Sequence, residues 1–265
     1  MSDGRQDRPA ATIAAPASFE EPYEVIGIEH RTPTIVELWL RPLGSVLDYV
    51  PGEYVLLADD RAEVPPRSFS VANAPRSDGL ISLLVTRVTD GQVSLWVHDR
   101  LRVGQTVSVS GPYGTFIDDP TATAPALFLA AGSGLAPIRA LVEAASARGS
   151  RSELTLIFSA RTEADVIDRE RFERHPAQDA RLRCIRTLTR GAGPHARGRI
   201  PALLPKLYAD LSGHVVFIAG APGFVRACAA AAEALGVRRE HVHTEVFFVE
   251  PQPWTGGSVP VGQRS

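Results

Sequence analysis

The residues best able to do chemistry lie in short glycine- and serine-rich strings. In residues 130–137 (AAGSGLAP) an apolar run ends at Gly132, Ser133 and Gly134, and helical spacing follows through Ala136 and Pro137. Glycines let a backbone approach a pyrophosphate, and a helix start supplies free N–H groups and partial positive charge. Pro137 stands where the usual dinucleotide fingerprint continues, so a simple tight turn explains the string as well as a nucleotide cradle does. A second turn, Ala219-Gly220-Ala221-Pro222-Gly223, ends a late apolar run. It would put backbone at the C-terminal edge of a sheet, where open α/β folds bind ligands.

Two further strings precede these. Arg67, Ser68, Phe69 and Ser70 (RSFS) fall on a predicted strand. A strand arginine offers a planar fork of donors to a phosphate, and a small hydroxyl can donate to a ring nitrogen. An amphipathic strand with a surface arginine accounts for the same residues. Gly91, Gln92, Val93 and Ser94 open a predicted helix. Ser94 and the local N–H groups suit another phosphate, or Ser94 is an ordinary helix cap. Late in the chain, His243-Thr244-Glu245-Val246-Phe247-Phe248 reads as a last strand with Glu245 as an edge carboxylate and Phe247 as core.

The elements that must position these strings fall into two patterns. Short β-branched or alternating runs at 23–28, 34–40, 54–57, 68–72, 80–88 and 106–110, with a helix over 92–101, predict a small closed barrel. A polar, proline-containing stretch at 118–125 (DDPTATAP) reads as a linker. Beyond it, apolar runs at 126–131, 154–159, 181–187 and 215–219 alternate with helical spacing at 136–148 and 222–235, which predicts a doubly wound α/β domain. The expected organisation is a flexible tail over 1–20, a barrel domain over 21–120, an α/β domain over 121–250 and a C-terminal tail over 251–265.

Composition narrows the functions. Hydrophobic residues make up 44% of the chain, enough for packed cores. The formal net charge of −2 gives no support to a nucleic-acid partner. Basic charge is almost all arginine, Lys206 being the only lysine. Two cysteines, Cys184 and Cys228, fall short of the set of about four thiolates that an iron–sulfur cluster requires. The histidines are scattered, with His241 and His243 the only close pair, and no metal site is expected. No run of roughly 18 apolar residues suggests a membrane span, and the first residues do not read as a signal peptide, so the cytoplasm is the expected location.

Taken in order, RSFS, GQVS, GPYGTF, AAGSGLAP, SART, GAPGFV and HTEVFF, from Pro22 to Phe248, resemble the ferredoxin–NADP reductase superfamily. The likeness is greatest to its compact bacterial members, the flavin-binding reductases of oxygenase systems. The resemblance implies a six-stranded antiparallel flavin-binding barrel followed by a doubly wound parallel α/β domain for the nicotinamide cofactor. It implies that Arg67 contacts the flavin phosphate, that Phe69 packs on the isoalloxazine, and that Ser70 sits near flavin N5. Val85 and Arg87 would flank the flavin, and Gly91 and Ser94 would hold its pyrophosphate. Gly132, Gly134, Ala136 and Pro137 would form the nicotinamide cofactor turn, with Gly220 and Pro222 facing the nicotinamide. Glu245 and Phe247 resemble the family's carboxylate and aromatic on the far side of the ring.

The implied activity is an NAD(P)H-dependent flavoprotein reductase. Hydride passes from NAD(P)H to bound FAD, preferred over FMN by the resemblance, and single electrons then go to a separate acceptor such as a ferredoxin or an oxygenase component. Competing assignments are a reductase of free flavin, a haem protein or a quinone, and a non-catalytic flavoprotein electron-relay subunit. Arg161, Arg190 and Arg199 follow the second and third α/β strands, where an adenosine ribose would lie. They do not separate NADH from NADPH in so arginine-rich a chain. The sequence departs from the family in having Phe69 for the usual tyrosine, Ala219 for a frequent cysteine, and a tail with Trp254 beyond the usual end.

Overall fold

A computed structural model describes residues 19–59, 64–190 and 196–247, apart from the side chains at 19, 172, 173, 175, 176 and 196. The predicted N-terminal tail over 1–20 ends sooner than expected, because β1 begins at Phe19; residues 1–18, Phe248 and the predicted C-terminal tail over 251–265 with Trp254 lie outside the described residues.

The first six strands are β1 (Phe19–Thr32), β2 (Ile35–Pro42), β3 (Tyr54–Asp59), β4 (Arg67–Ser70), β5 (Ile81–Thr86) and β6 (Thr106–Tyr113). They form an antiparallel sheet in the order β4-β3-β6-β1-β2-β5. The two ends of that order meet at a Val71–Leu83 bridge, with the Ala72 N–H donating to Ser82 O at 2.8 Å, so the sheet closes on itself. Closure removes the exposed edges that an open sheet would present. Tyr23, Val25, Leu38, Leu57, Leu83, Val85 and Val107 fill its interior. Strand β1 is longer than its apolar run predicts, because residues 19–24 pair with β6 regardless of their polarity. The helix at residues 92–101 forms as α1 (Gln92–Leu95) continued by a wider turn over Trp96–Arg100.

The second sheet is parallel throughout, in the order β10-β9-β8-β7-β11-β12. Its strands are β7 (Ala126–Ala131), β8 (Leu154–Ala160), β9 (Leu182–Leu188), β10 (Ala196–Arg197), β11 (Val215–Gly220) and β12 (Val242–Val246). The helices are α2 (Leu135–Arg148), α3 (Arg169–Gln178), α4 (Ile200–Leu207) and α5 (Pro222–Ala234). Helices α3 and α4 and strand β10 leave no clear periodic signal in the sequence, for physical reasons. Helix α3 (RERFERHPAQ) has almost no apolar stripe, α4 carries Pro201 and Pro205, and β10 is two residues long. The stretch at 118–125 is not loose at its start: Asp118 is buried and paired with Arg148 and with the fully buried Arg151.

Ile35, Ala72, Leu84 and Phe116 of the barrel side join Phe128, Leu135, Ile138, Phe158 and Phe217 of the α/β side in one apolar cluster. The two sheets therefore share a core, and the groove between them has fixed walls. Among the described residues no helix is long and apolar enough to cross a membrane.

Candidate active site

The strand order of the parallel sheet reverses between β7 and β11. At such a switch point the loops leaving adjacent strands diverge and open a crevice at their C-terminal ends. Both glycine turns leave the sheet there. Gly132, at φ +57°, begins a tight turn that runs into α2, and a Cβ built on it meets no atom within 4 Å. Its surroundings are an open cradle. Gly134 is the opposite case: a Cβ there would run into the carbonyl of Ala219 and lie 2.7 Å from the Gly220 nitrogen. Only glycine lets the two turns touch. Ala136 and Pro137 are buried in the first turn of α2, and Pro222 opens α5. The Phe247 N–H donates to Gly220 O at 2.8 Å, which seats the end of β12 against the same crevice.

The barrel brings its own residues to this crevice by strand alternation. Successive side chains of a strand face opposite ways. In β4, Phe69 packs half-buried against the barrel core, while Ser70 is buried and turned toward the other sheet. There the Ser70 hydroxyl donates to Glu245 Oε1 at 2.8 Å. Burial pushes the Glu245 carboxyl up to about 7, and the Ser70 hydrogen bond only partly opposes it. Glu245 Oε2 is buried without a hydrogen-bond partner. A buried polar atom left open in this way ordinarily has a missing partner. Tyr54 lies opposite Ser70 in the β3–β4 pair and stacks obliquely on Tyr113 at 5.6 Å between ring centres. Burial raises the Tyr54 hydroxyl pKa, with Tyr113 and then Glu245 adding to the effect.

The remaining candidates are distributed around this centre. Arg67 is partly buried on β4 and Ser68 is exposed. The Val85 side chain points into the barrel core, so Val85 offers the crevice main chain only. Arg87 is exposed and forms a two-pronged ion pair with Asp99, at 2.6 and 2.9 Å. Ser94 is buried and turned back on its own loop, accepting the Val88 N–H at 3.1 Å and lying 3.0 Å from the Gly91 carbonyl oxygen. It thereby shapes the turn that Gly91, Gln92 and Val93 present. Val64, Gln92, Leu95, Asp99 and Arg100 line an open hollow beside it. Arg161, Arg190 and Arg199 are exposed near the ends of β8 and β9 and the start of α4, away from the Ser70–Glu245 pair in sequence.

Three residues absent from the sequence reading contribute. Thr86 donates its hydroxyl hydrogen bond to Ser133 Oγ at 2.8 Å, a second barrel-to-α/β link at the crevice rim. Period-two spacing from Ser82 and Leu84, which also face the α/β domain, identifies it. Arg139 and Glu37 form a buried ion pair across the two domains. A single charge inside the apolar run of α2 is the signal for Arg139, because charges are buried only when paired.

The family model for an oxidoreductase FAD-binding domain matches residues 30–117, and that for an oxidoreductase NAD-binding domain matches residues 128–230. The chain is 36% identical over 242 residues to ferredoxin–NADP reductase B of Sorangium cellulosum (strain So ce56), covering 86% of this chain and 98% of that one. It is 32% identical over 226 residues to the ferredoxin–NAD(P)(+) reductase component of the naphthalene 1,2-dioxygenase/salicylate 5-hydroxylase systems of Ralstonia sp, covering 84% and 68%. Among solved structures, the ferredoxin reductase in carbazole 1,9a-dioxygenase superposes with a TM-score of 0.79 at 22% identity, over 89% of this chain and 71% of that one. A ferredoxin NADP+ reductase from Neisseria gonorrhoeae with bound FAD and NADP superposes with a TM-score of 0.76 at 19% identity, over 86% and 99%. These two share the fold.

Proposed function

The chain belongs to the ferredoxin–NADP reductase superfamily of FAD- and NAD-binding oxidoreductases, and on that premise we propose how its own residues divide the work of an NAD(P)H-dependent flavoprotein reductase. The observation that carries the reading is the Ser70–Glu245 pair, partly buried between the two sheets, with the buried Oε2 of the carboxylate left open. The residues present fit the group the family requires. Glu245 Oε2 on β12, facing the barrel's Ser70, lacks a partner, and a glycine cradle stands open at the start of α2.

FAD bound between the sheets supplies the hydride acceptor and the source of single electrons. Arg67 and the N–H groups around Gly91, Gln92, Val93 and Ser94 hold its phosphates, and the part of Phe69 not covered by the barrel core packs on its ring. Ser68, exposed beside them, and the main chain of Val85 and Arg87 border the ring. Gly132, Ser133 and Gly134, with Ala136 and Pro137 behind them, take the pyrophosphate of NAD(P)H at the start of α2. Gly220, Pro222 and Phe247 line the nicotinamide end. Ser70 fixes Glu245 Oε1, so Oε2 is the atom that holds or releases a proton. A carboxyl raised to about 7 can do either near neutrality. Arg161, Arg190 and Arg199 border the adenosine end.

The electrons leave to a separate acceptor, a ferredoxin or an oxygenase component, as the names of the relatives suggest. We divide the chain into a barrel domain over 21–120 and a nicotinamide domain over 121–250. The supply of reduced nicotinamide favours a cytoplasmic setting. The test is an anaerobic titration of the FAD-loaded protein with NADH and, separately, NADPH. Bleaching of the flavin bands by either donor is the expected result. A protein that takes up neither FAD nor FMN would leave only the fold.

A further inference from the structure

Arg139, on the helix that starts at the Gly132–Gly134 turn, is a buried charge at the domain boundary. Its guanidinium makes four contacts. Nε donates to the Ala72 carbonyl, one Nη donates to Asp168 Oδ2 at 2.7 Å, and the other donates to Glu37 Oε1 and to Ser82 Oγ at 2.9 Å. Arg31 donates to the second oxygen of Glu37 at 2.7 Å. The network thus joins two guanidinium groups to the carboxylates of Glu37 and Asp168 and, through Arg31, to the exposed Glu29, and the Glu37 side chain is fully buried. Asp168 has φ +56°, the one positive φ outside glycine among the described residues. A strained backbone persists only where its surroundings over-determine it, and here the strain delivers a carboxylate to Arg139.

What Arg139 holds on the barrel side is specific. Ala72 lies two residues beyond Ser70, and its N–H donates to Ser82 O, the bond that helps to close the barrel. Ser82 lies on β5, which ends at Thr86, the partner of Ser133. One guanidinium therefore clamps the closing seam of the barrel, between Ser70 and Thr86, to the helix that carries the nicotinamide turn. It touches neither of those site residues.

We propose that Arg139 is a positioning residue for hydride transfer: it fixes the flavin-side strands β4 and β5 against the nicotinamide turn, and so sets the distance between the two reacting rings. This rests on the function proposed above. The step it serves moves two electrons and one proton, as hydride, from the reduced nicotinamide to FAD, and the oxidised nicotinamide leaves. A misplacement of about 1 Å in such a step costs on the order of a hundredfold in rate.

The test uses the full FAD-loaded chain, with Arg139→Met, Arg139→Lys and Ser82→Ala. Anaerobic stopped-flow reduction across donor concentrations separates the limiting rate from the apparent Kd. Arg139→Met should lower the limiting rate roughly 10- to 100-fold with Kd within threefold, and Arg139→Lys should fall between it and the wild type. In the ligand-free chain, hydrogen exchange at the amides of Ala72 and Val71 should quicken in Arg139→Met. If Arg139→Met does not fold, Ser82→Ala, which removes one of the four contacts, should still slow the limiting rate severalfold. A limiting rate within twofold of wild type, or a loss carried by Kd alone, overturns the proposal. A wild-type chain whose flavin neither donor reduces overturns the function beneath it as well, and so the two failures are told apart.

Discussion

The Ser70 hydroxyl of β4 donates to the Glu245 carboxylate of β12 at 2.8 Å, joining two residues that belong to different sheets and leaving Glu245 Oε2 buried and open. Desolvation holds the carboxyl at about 7, against an ordinary 4.5. Between those values the folded chain keeps a proton that the unfolded chain has released. Stability contributed by this group is thus complete below pH 4.5 and lost as pH rises through 7. The full difference is on the order of 3 kcal/mol. Burial lowers the pKa of His98, His214 and His243, which acts in the opposite sense just below pH 6.5. The comparison must therefore be between variants. The stability advantage of Glu245→Gln over the ligand-free wild type should grow by about 3 kcal/mol between pH 4.5 and pH 8. Urea denaturation at the two pH values measures it, and a constant gap would place Glu245 in water.

The two glycines of the α2 turn should fail differently. A methyl group at Gly134 collides with the Ala219 carbonyl, so Gly134→Ala should destabilise the fold by about 1–3 kcal/mol through overpacking. A methyl group at Gly132 meets nothing, and its cost is that of a left-handed backbone, about 1 kcal/mol. It would instead stand in the cradle. Gly132→Ala should keep a cooperative unfolding transition and bind NAD(P)H at least tenfold more weakly, read by titration of the oxidised protein with NADP+ and NAD+. Equal donor affinity in Gly132→Ala would remove the pyrophosphate from this turn.

Asp118 should be a structural residue of unusual weight for its place in the chain. It pairs with Arg148 at 2.7 Å and with Arg151, whose Nη1 also donates to Ala124 O at 2.6 Å. Arg151 is buried, so removing its partner strands a charge away from water. Asp118→Ala should cost about 3–5 kcal/mol, seen as a large fall in the denaturation midpoint. A change below 1 kcal/mol would mean that water reaches Arg151.

The pattern of elements was legible because both periods were strong: β-branched alternation in the barrel, and apolar runs separated by helical spacing in the α/β sheet. The glycine strings are legible as turns before helices, while Ser70 and Glu245 acquire a role in the sequence only through the resemblance to the family. What the sequence hid depends on long-range pairing. Asp118 sits in a string of turn-forming residues that reads as a linker, and only the distant Arg151 makes it core. Thr86 and Arg139 each draw their meaning from a partner in the other domain. Helix α3, nearly devoid of apolar residues, forms along β9 without an amphipathic stripe to announce it. Strand alternation also separates neighbours that a motif groups together: within RSFS, Phe69 faces the barrel core while Ser70 faces Glu245.

The choice of donor should lie with the arginines at the sheet edge. The Arg190 N–H donates to Arg161 O at 2.7 Å, and Thr187 Oγ1 donates to Gly198 O at 2.6 Å, so the ends of β8 and β9 and the start of α4 are tied together. Arg161 is already engaged by Asp165 at 2.9 Å. Arg190 and Arg199 are exposed. A 2′-phosphate, present in NADPH and absent from NADH, is the group for which guanidinium forks discriminate. A charge-assisted hydrogen bond contributes about 1.5–3 kcal/mol, and about 1.4 kcal/mol is a factor of ten. Arg190→Ala and Arg199→Ala should therefore raise the KM for NADPH roughly tenfold while leaving that for NADH within twofold. Arg161→Ala should do less, because its guanidinium is shared with Asp165. Steady-state rates with both donors, at low and high salt, decide the matter: the NADPH values should weaken more steeply than the NADH values as salt rises. Equal losses for the two donors would move these arginines from the 2′-phosphate to the part of the cofactor that both share.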